Sequence, residues 1–507
     1  MENICLIGVD VGTSATKVVA FDTCGNKLAE YSVEYPLYQP HNGWAEQDPD
    51  DWVNATIESL LTVTKKLDGI KVAGIGVSGQ MHGLVMLGED MKPLRRSIIW
   101  CDQRTVKECE EITEKVGKDR LFEITCAPAM TGFTASKLMW VKNNEPEVYA
   151  KCKHILLPKD YVRYCLTGTL YMDYSDASGT QLLDIKNRCW SKEVCDALGV
   201  DMSILPPLCD SCYNCGNITE EMLRKIGLKE TCPVAAGAGD NASAAVGCGV
   251  VEDGGAFATI GTSGVVFAPV DEIKLDQKGR IHTFCSAVPN QWHVMGVTQA
   301  AGLSLKWIKD NLCVDISENA KKNGKSSYAV IDEIASNIPI GSNGVMYLPY
   351  LMGERTPHLD PYARGAFIGL SGANTRSDML RATMEGVSFS LKDCLEIFAE
   401  VGVNPKKNVL CGGGAKSALW RNMLTDVFAT ETCTSSSTES CALGAAILAG
   451  VAAGAYKTVK DGCTKSVFEN DVLEPNHENT EAYTKYYEIY KKAYPALKEI
   501  NIELANI

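Results

Sequence analysis

In residues 8–22, "GVDVGTSATKVVAFD", two apolar runs rich in β-branched residues flank Gly12-Thr13-Ser14. Val9 and Val11 precede the turn, and Val18, Val19 and Phe21 follow it, so the pattern predicts strand, turn and strand. The same arrangement returns in "ATIGTSGVVFAPV", residues 258–270, about half the chain further on. A duplication at that separation predicts two similar α/β domains, each turning a hydroxyl-rich hairpin toward a shared cleft.

Helical spacing dominates elsewhere. In residues 375–398 the apolar positions Leu380, Met384, Val387, Leu391, Cys394 and Phe398 fall on one face of a helix. Thr375 and Asp378 form a capping-box pattern at its start, and Gly386 inside it marks a close packing contact. The stretch "ALGAAILAGVAAGAY", residues 442–456, is too short and too rich in Ala and Gly to span a membrane, so it reads as a closely packed internal helix. The segment 477–500 reads as a covering helix with a tyrosine stripe, packed on its own domain rather than on a partner, although a homodimer through it stays open.

Glycine clusters refine this picture. "GIGVSG", residues 74–79, has dinucleotide-fingerprint spacing, but "QMHGLVML" after it reads as a turn and a strand where that fold needs a helix. No Walker A pattern occurs. In residues 409–429 an apolar strand runs into Gly412-Gly413-Gly414 and then a helix with Trp420, Met423, Leu424, Val427 and Phe428 on its apolar face. Such a turn lets a flat ligand lie against bare backbone, and an adenosine is the expected occupant. In residues 233–249, Asp240 stands at the start of a small-residue helix. It is either an N-cap or a carboxylate held at a strand-to-helix turn as a general base.

With 507 residues, 45% hydrophobic and 22% charged, the chain is a soluble globular protein of two or three domains. A net charge of −14 argues against a nucleic-acid surface but leaves room for one anionic nucleotide in a local pocket. Residues 1–3 run straight into a strand-like stretch, so a cytosolic protein without a secretory signal is expected. The 21 cysteines are then reduced thiols. Cys209, Cys212 and Cys215 have ligand-like spacing but lack a clear fourth ligand, so free thiols in a surface loop are the expectation over a structural metal.

The turn chemistry points to phosphate. Successive backbone N–H groups with Thr and Ser hydroxyls make an anion-binding concavity. A carboxylate beside phosphates needs a cation between, which makes Asp10 an Mg²⁺ holder acting through water.

Eight stretches, "SGQMHGLVML", "IIWCDQR", "TGFTASKLMW", "LLPKDY", "GAGDNAS", "IGTSG", "YLMGERTPH" and "LCGGGAKS", occur in the order found in the FGGY carbohydrate kinases, which the chain resembles over its whole length. That family is a branch of the actin, hexokinase and chaperone ATPase superfamily. The resemblance is strongest to its D-xylulose-phosphorylating branch.

The resemblance implies two ribonuclease-H-like domains around an interdomain cleft, over residues 1–247 and 248–507. It implies ATP and Mg²⁺, with Gly12, Thr13 and Ser14 in the first phosphate motif, Gly261 and Thr262 in the second, and Gly413 and Gly414 at the adenosine. It also implies Asp240 as catalytic base, with Met81, His82, Trp100, Asp102, Arg104 and Asn241 at the sugar. The expected reaction is phosphoryl transfer to the C5 hydroxyl of D-xylulose, in xylose and pentose catabolism, with domain closure excluding water. Kinases for ribulose, L-xylulose or a polyol, and a non-catalytic nucleotide-dependent sugar-binding protein, are the alternatives.

Overall fold

The computed structural model describes residues 3–505. Its first half is built on a mixed sheet. The strand Ile4–Val11 pairs antiparallel with Ala15–Asp22, which pairs antiparallel with Lys27–Glu34. On its other side it runs parallel to Lys71–Gly79, followed by Pro233–Ala235 and Asn214–Asn217. The second half repeats the plan. Gly255–Ile260 makes the hairpin with Gly264–Val270, next to Trp292–Thr298, and lies parallel to Lys407–Cys411 and then Glu431–Ser435. The duplication visible in the two Gly-Thr-Ser turns is thus a duplication of whole sheets, and the protein has the two-domain α/β fold expected of it.

Both central strands are buried on both faces, which is why they read as near-continuous apolar runs. Their period of two still sorts the side chains. Cys5, Ile7, Val9 and Val11 face the helix Pro49–Thr64, with Trp52, Leu60 and Val63 in the same cluster. Leu6, Gly8 and Asp10 therefore share the opposite face.

That opposite face receives the helix Ser440–Ala452, although it lies in the second half of the chain. A Cβ added to Gly8 would stand 1.8 Å from the Ala442 carbonyl oxygen, and one on Gly76 1.9 Å from that of Ala445. The reciprocal arrangement holds for Asp240–Gly247. This helix of the first half lays Ala244, Ala245 and Cys248 against Phe257, Phe267 and Val409 of the second sheet. The two small-residue helices cross each other between the sheets. The 442–456 stretch is therefore a buried interdomain helix, and it ends at Ala452.

The helix Arg376–Glu400 backs the second sheet. The Asp378 carboxylate accepts from the Thr375 backbone N–H at 2.6 Å, closing the expected box. A Cβ on Gly386 would meet the Tyr347 carbonyl at 2.2 Å, so this glycine marks close packing. The terminal helix His477–Ala505 packs on its own half. Tyr483, Tyr487, Tyr490 and Tyr494 are buried in the second-half core, and the Tyr490 and Tyr350 hydroxyls stand 2.9 Å apart.

One expectation is corrected. Cys209 and Cys215 do not lie in an exposed loop; both are buried beside Ala236, and only Cys212 is half-exposed. No group of three or more His, Cys, Asp or Glu side chains placed to hold a metal ion occurs among the described residues. No helix among them is long and apolar enough to cross a membrane.

Candidate active site

The first Gly-Thr-Ser turn is held from behind by its carbonyls. The Tyr35 hydroxyl donates to the Gly12 oxygen, Gln80 Nε2 reaches the same oxygen at 3.3 Å, and Gln47 Nε2 donates to the Thr13 oxygen at 2.6 Å. A trans peptide points its N–H opposite its C=O. Pinning these two carbonyls inward therefore aims the N–H groups of Thr13 and Ser14 outward, where Ser14 is exposed. Donors aimed outward in this way can receive an anion.

Asp10 lies one turn of the hairpin behind it, on the face that looks toward the interdomain helix. Burial, and then the charges of Asp240 and Glu439, push its carboxyl up to about 7, against the pull of Lys17. Glu439 is the residue immediately before the helix Ser440–Ala452, and Lys17 Nζ pairs with it at 2.8 Å. Asp10 thus stands in electrostatic reach of two further carboxylates from separate segments, and of the three, sequence reading had found only Asp10 and Asp240.

Asp240 opens its helix on a two-residue strand, Ala238–Gly239, that pairs parallel with Ser78 and Gly79. Gly239, not Asp240, is the capping position. The Asp240 carboxylate is instead fixed by its neighbour. Oδ1 accepts from the Asn241 backbone N–H at 2.7 Å and from Asn241 Nδ2 at 2.9 Å. Oδ2 is left to other donors. Burial pushes Asp240 up to about 6, while the Asn241 bonds pull the other way. A half-exposed carboxylate poised near neutrality is suited to taking a proton.

Met81 and His82 form a wall beside it. Met81 packs on Gly239, where a Cβ would come 2.8 Å from its Cγ. His82 has φ 70°, and its ring lies 4.5 Å from that of Phe133. His82 Nδ1 is 2.9 Å from the Gly179 carbonyl oxygen. A carbonyl only accepts, so Nδ1 carries the hydrogen. Burial and the Lys137 charge hold the ring well below its ordinary range, hence neutral, and Nε2 remains as an acceptor. Lys137, fully buried and brought down to about 7 chiefly by burial, donates to the carbonyls of His82 at 2.9 Å and Gly132 at 2.6 Å. It holds the strained peptide in place.

Asp102 and Arg104 need a correction. They were expected to meet the sugar, but they close on each other. Arg104 Nη2 lies 2.7 Å from Asp102 Oδ2, its Nη1 2.8 Å from Glu46, and its guanidinium 3.7 Å from the centre of the Trp44 ring. Asp102 also accepts from the Ala45 N–H at 2.6 Å and has no exposed surface. A buried carboxylate needs all its partners, and here protein groups supply them. Trp100 is tied differently. Its Nε1 donates to Thr13 Oγ1 at 2.9 Å, which links the strand end to the phosphate turn.

The second turn and the triple glycine meet at one cavity of about 620 Å³, lined by Gly261, Thr262, Gly413, Gly414, Tyr328 and Asp332 among others. Gly412 has φ 83°, and a Cβ on Gly414 would stand 2.5 Å from Ile260 Cγ2, so bare backbone shapes the wall. Tyr328 and Asp332, on the helix Ser327–Ser336, carried no motif in the sequence. Arg355 lies in the stretch 350–358 but was given no role from the sequence. It brings a guanidinium from the second half to within 3.4 Å of where a Gly132 Cβ would be.

A test of the His82 wall follows. A methyl at position 179 would sit 2.4 Å from the His82 ring, so Gly179→Ala should swing the imidazole away from its carbonyl partner. The expected result is a KM for sugar raised about tenfold or more with nucleotide affinity unchanged, the loss of one hydrogen bond to a neutral donor or acceptor. An unaltered KM would remove His82 from the sugar-binding surface.

The chain matches the family models for the FGGY family of carbohydrate kinases, N-terminal domain over residues 5–247 and C-terminal domain over residues 256–453. It is 40% identical over 501 residues to a xylulose kinase of Bacillus subtilis (strain 168), covering 98% of each chain. A ligand-bound xylulose kinase from Lactobacillus acidophilus superposes with a TM-score of 0.91 at 29% identity, over 97% of this chain and 98% of that one. A gluconate kinase from the same organism superposes with a TM-score of 0.90 at 29% identity, with the same coverage.

Proposed function

The chain belongs to the FGGY family of carbohydrate kinases, and from that premise we propose that it transfers the γ-phosphoryl group of ATP to the C5 hydroxyl of D-xylulose, giving D-xylulose 5-phosphate and ADP. The observation that carries this reading is the Asp240 carboxylate, half-exposed, beside the neutral His82 wall and in electrostatic reach of Asp10. An unactivated hydroxyl is a poor nucleophile. Asp240 Oδ2 accepts its proton as the oxygen attacks the phosphorus, and the leaving oxygen stays on ADP. His82 Nε2 accepts from another sugar hydroxyl and fixes the sugar's orientation. The outward N–H groups of Thr13 and Ser14 meet phosphate oxygens, as does the turn at Gly261 and Thr262. The adenosine lies in the cavity against Gly413 and Gly414.

The donor set also suits a divalent cation. Asp10 and Glu439 offer hard carboxylate oxygens, and a cation there relieves the repulsion that raises Asp10. Mg²⁺ bound with ATP would screen the phosphate charge. The division at residues 247 and 248, and a cytoplasmic location, belong to the same proposal.

Fold alone leaves the sugar open, since a gluconate kinase superposes as well as a xylulose kinase does. ADP release with a panel of ketopentoses, polyols and gluconate decides it. Strong selectivity for D-xylulose is the expected result; selectivity for another acceptor keeps the kinase and overturns the substrate.

The acid limb of the rate profile is a second check. Only deprotonated Asp240 can accept a proton, so kcat should fall as pH drops through about 6. A kcat that stays flat from pH 8 to pH 5 would remove Asp240 as the base.

A further inference from the structure

The stretch "MDYSDASGT", residues 172–180, carries no recognised motif, yet it contacts His82, the strand that leads into Asp240 and the second-half sheet. It contains a short helix, Tyr174–Ser178, of which Ser175, Asp176, Ala177 and Ser178 are buried. At its end the Gly179 carbonyl fixes His82. Ser178 Oγ accepts from the Cys285 N–H of the second-half sheet at 3.0 Å.

Its start is tied to the base. Asp173 has no exposed surface, and one of its oxygens, Oδ2, accepts from Ser175 Oγ at 2.5 Å and from Ser211 Oγ at 2.7 Å. Each of these serines then holds one backbone N–H of the segment that delivers Asp240. Ser175 Oγ accepts from the Gly239 N–H at 3.2 Å, and the Ser211 carbonyl accepts from the Gly237 N–H at 2.9 Å. Gly237 has φ 77°, and a Cβ there would stand 1.7 Å from the Val77 carbonyl, so this strand has little freedom beyond what its bonds allow. The other Asp173 oxygen faces Lys159 Nζ at 2.8 Å, and Lys159 packs within 3.2 Å of where a Gly79 Cβ would lie, on the strand that pairs with Ala238–Gly239.

Lys159 Nζ lies 2.6 Å from Asp160, 2.8 Å from Asp173 and 3.5 Å from Asp176, and none of the four side chains has exposed surface. Burial works against the charge on Lys159, but the three carboxylates outweigh it and hold it above its ordinary range. Burial raises Asp176 well above the ordinary carboxylate range, against the pull of Lys159.

On the reading of Asp240 as the base, we propose that Asp173 is a positioning residue for the phosphoryl-transfer step. The Ser175 hydroxyl that it orients holds the Gly239 N–H, and the Ser211 hydroxyl anchors the residue whose carbonyl holds the Gly237 N–H. Asp173 so fixes the strand Ala238–Gly239 at its end and just before its start, a clamp that sets where the Asp240 carboxylate stands against the sugar hydroxyl. Nothing in the clamp touches the sugar or the nucleotide cavity, so its loss shows in the chemical step. A displacement of about 1 Å at a reacting group costs on the order of a hundredfold in rate.

The experiment uses the full-length protein with Ser175→Ala, Ser211→Ala and the pair together, which remove the two hydroxyls but leave the buried ion cluster whole. D173N is the direct variant but disturbs Lys159 and can fail to fold. The expected result for the pair is a kcat lowered about 10- to 100-fold. KM for D-xylulose should stay within about threefold and ADP affinity should not change. The acid limb should shift below its parental position as water reaches a loosened Asp240. A wild-type kcat in the pair overturns the proposal. So does a rate loss that matches the loss of folded protein measured by thermal unfolding. Asp240→Asn is assayed beside them. If it keeps wild-type kcat, the base assignment falls and takes the clamp with it; if it is inactive while the pair is fully active, only the clamp falls.

Discussion

Asp240→Asn is expected to lower kcat by about 10²- to 10⁴-fold, the range that a positioned general base supplies. The substitution is nearly isosteric, and the geometry of the site says which function it deletes. Asn241 donates twice to Oδ1, so an asparagine at 240 keeps its oxygen in that position and puts its NH₂ where Oδ2 was. The side chain stays oriented, but an amide cannot accept the hydroxyl proton. KM for the sugar and the affinity for ADP should therefore move little, since neither depends on that oxygen's basicity. Initial rates of ADP release and a calorimetric titration with ADP measure both. A kcat within tenfold of the parent would make Asp240 an orienting group and send the search for the base elsewhere. Loss of sugar binding along with kcat would mean that the carboxylate mainly holds the ground state.

The second large effect is one that helix propensity predicts with the wrong sign. Alanine is favoured over glycine inside a helix by about 0.5–1 kcal/mol, so Gly444→Ala in Ser440–Ala452 should stabilise the protein if local preference ruled. The crossing of the two interdomain helices says otherwise. A Cβ on Gly444 would stand 1.8 Å from the Ser243 carbonyl oxygen, and Gly247 faces the Ser440 carbonyl in the same way at 1.9 Å. These neighbours are backbone, which cannot turn aside as a flexible side chain can. The helices must separate, and overpacking of this kind costs about 3 kcal/mol or more. Thermal unfolding should show a Tm lowered by roughly 5–10 °C for a domain of this size. Activity should fall too, because Asp240 begins one of these helices and Glu439 caps the other. A Tm equal to or above the parent's would mean that the crossing relaxes without strain.

Those two glycines mark the boundary of what was legible. Hairpins, caps and amphipathic faces are local, so the paired Gly-Thr-Ser turns, the Thr375–Asp378 box and the tyrosine stripe of residues 483–494 could be read from spacing. The glycine turn at 412–414 was legible for the same reason, since strand, glycine and helix succeed one another within about twenty residues. Helix Ser440–Ala452 was legible as a packed helix, but not its partner sheet, because Ala and Gly have no preferred face.

The site divides along the same line. Asp10, Asp240 and His82 stood in motifs with a readable role. Glu439 and Ser211 stood in none, and Lys137 and Arg355 stood in quoted stretches without a role, because each reaches the site from a distant segment. Asp102 and Arg104 show the opposite failure. Their motif suggested free polar groups, and only the arrival of Glu46, Ala45 and Trp44 from another segment turns them into a closed, buried pair.

The amino-acid sequence by itself determined that this is a duplicated α/β protein, with two hydroxyl-rich turns, a glycine-lined turn and a carboxylate at a strand-to-helix junction. Each of those features is encoded by residues close together in the chain, where backbone geometry and side-chain period act directly. The tertiary structure alone decided which charges meet, which polar groups are already satisfied, and how firmly the strand bearing Asp240 is held. Those depend on burial and on contacts between distant segments, such as Asp240 with Cys441 and Lys17 with Glu439, and no local pattern carries them.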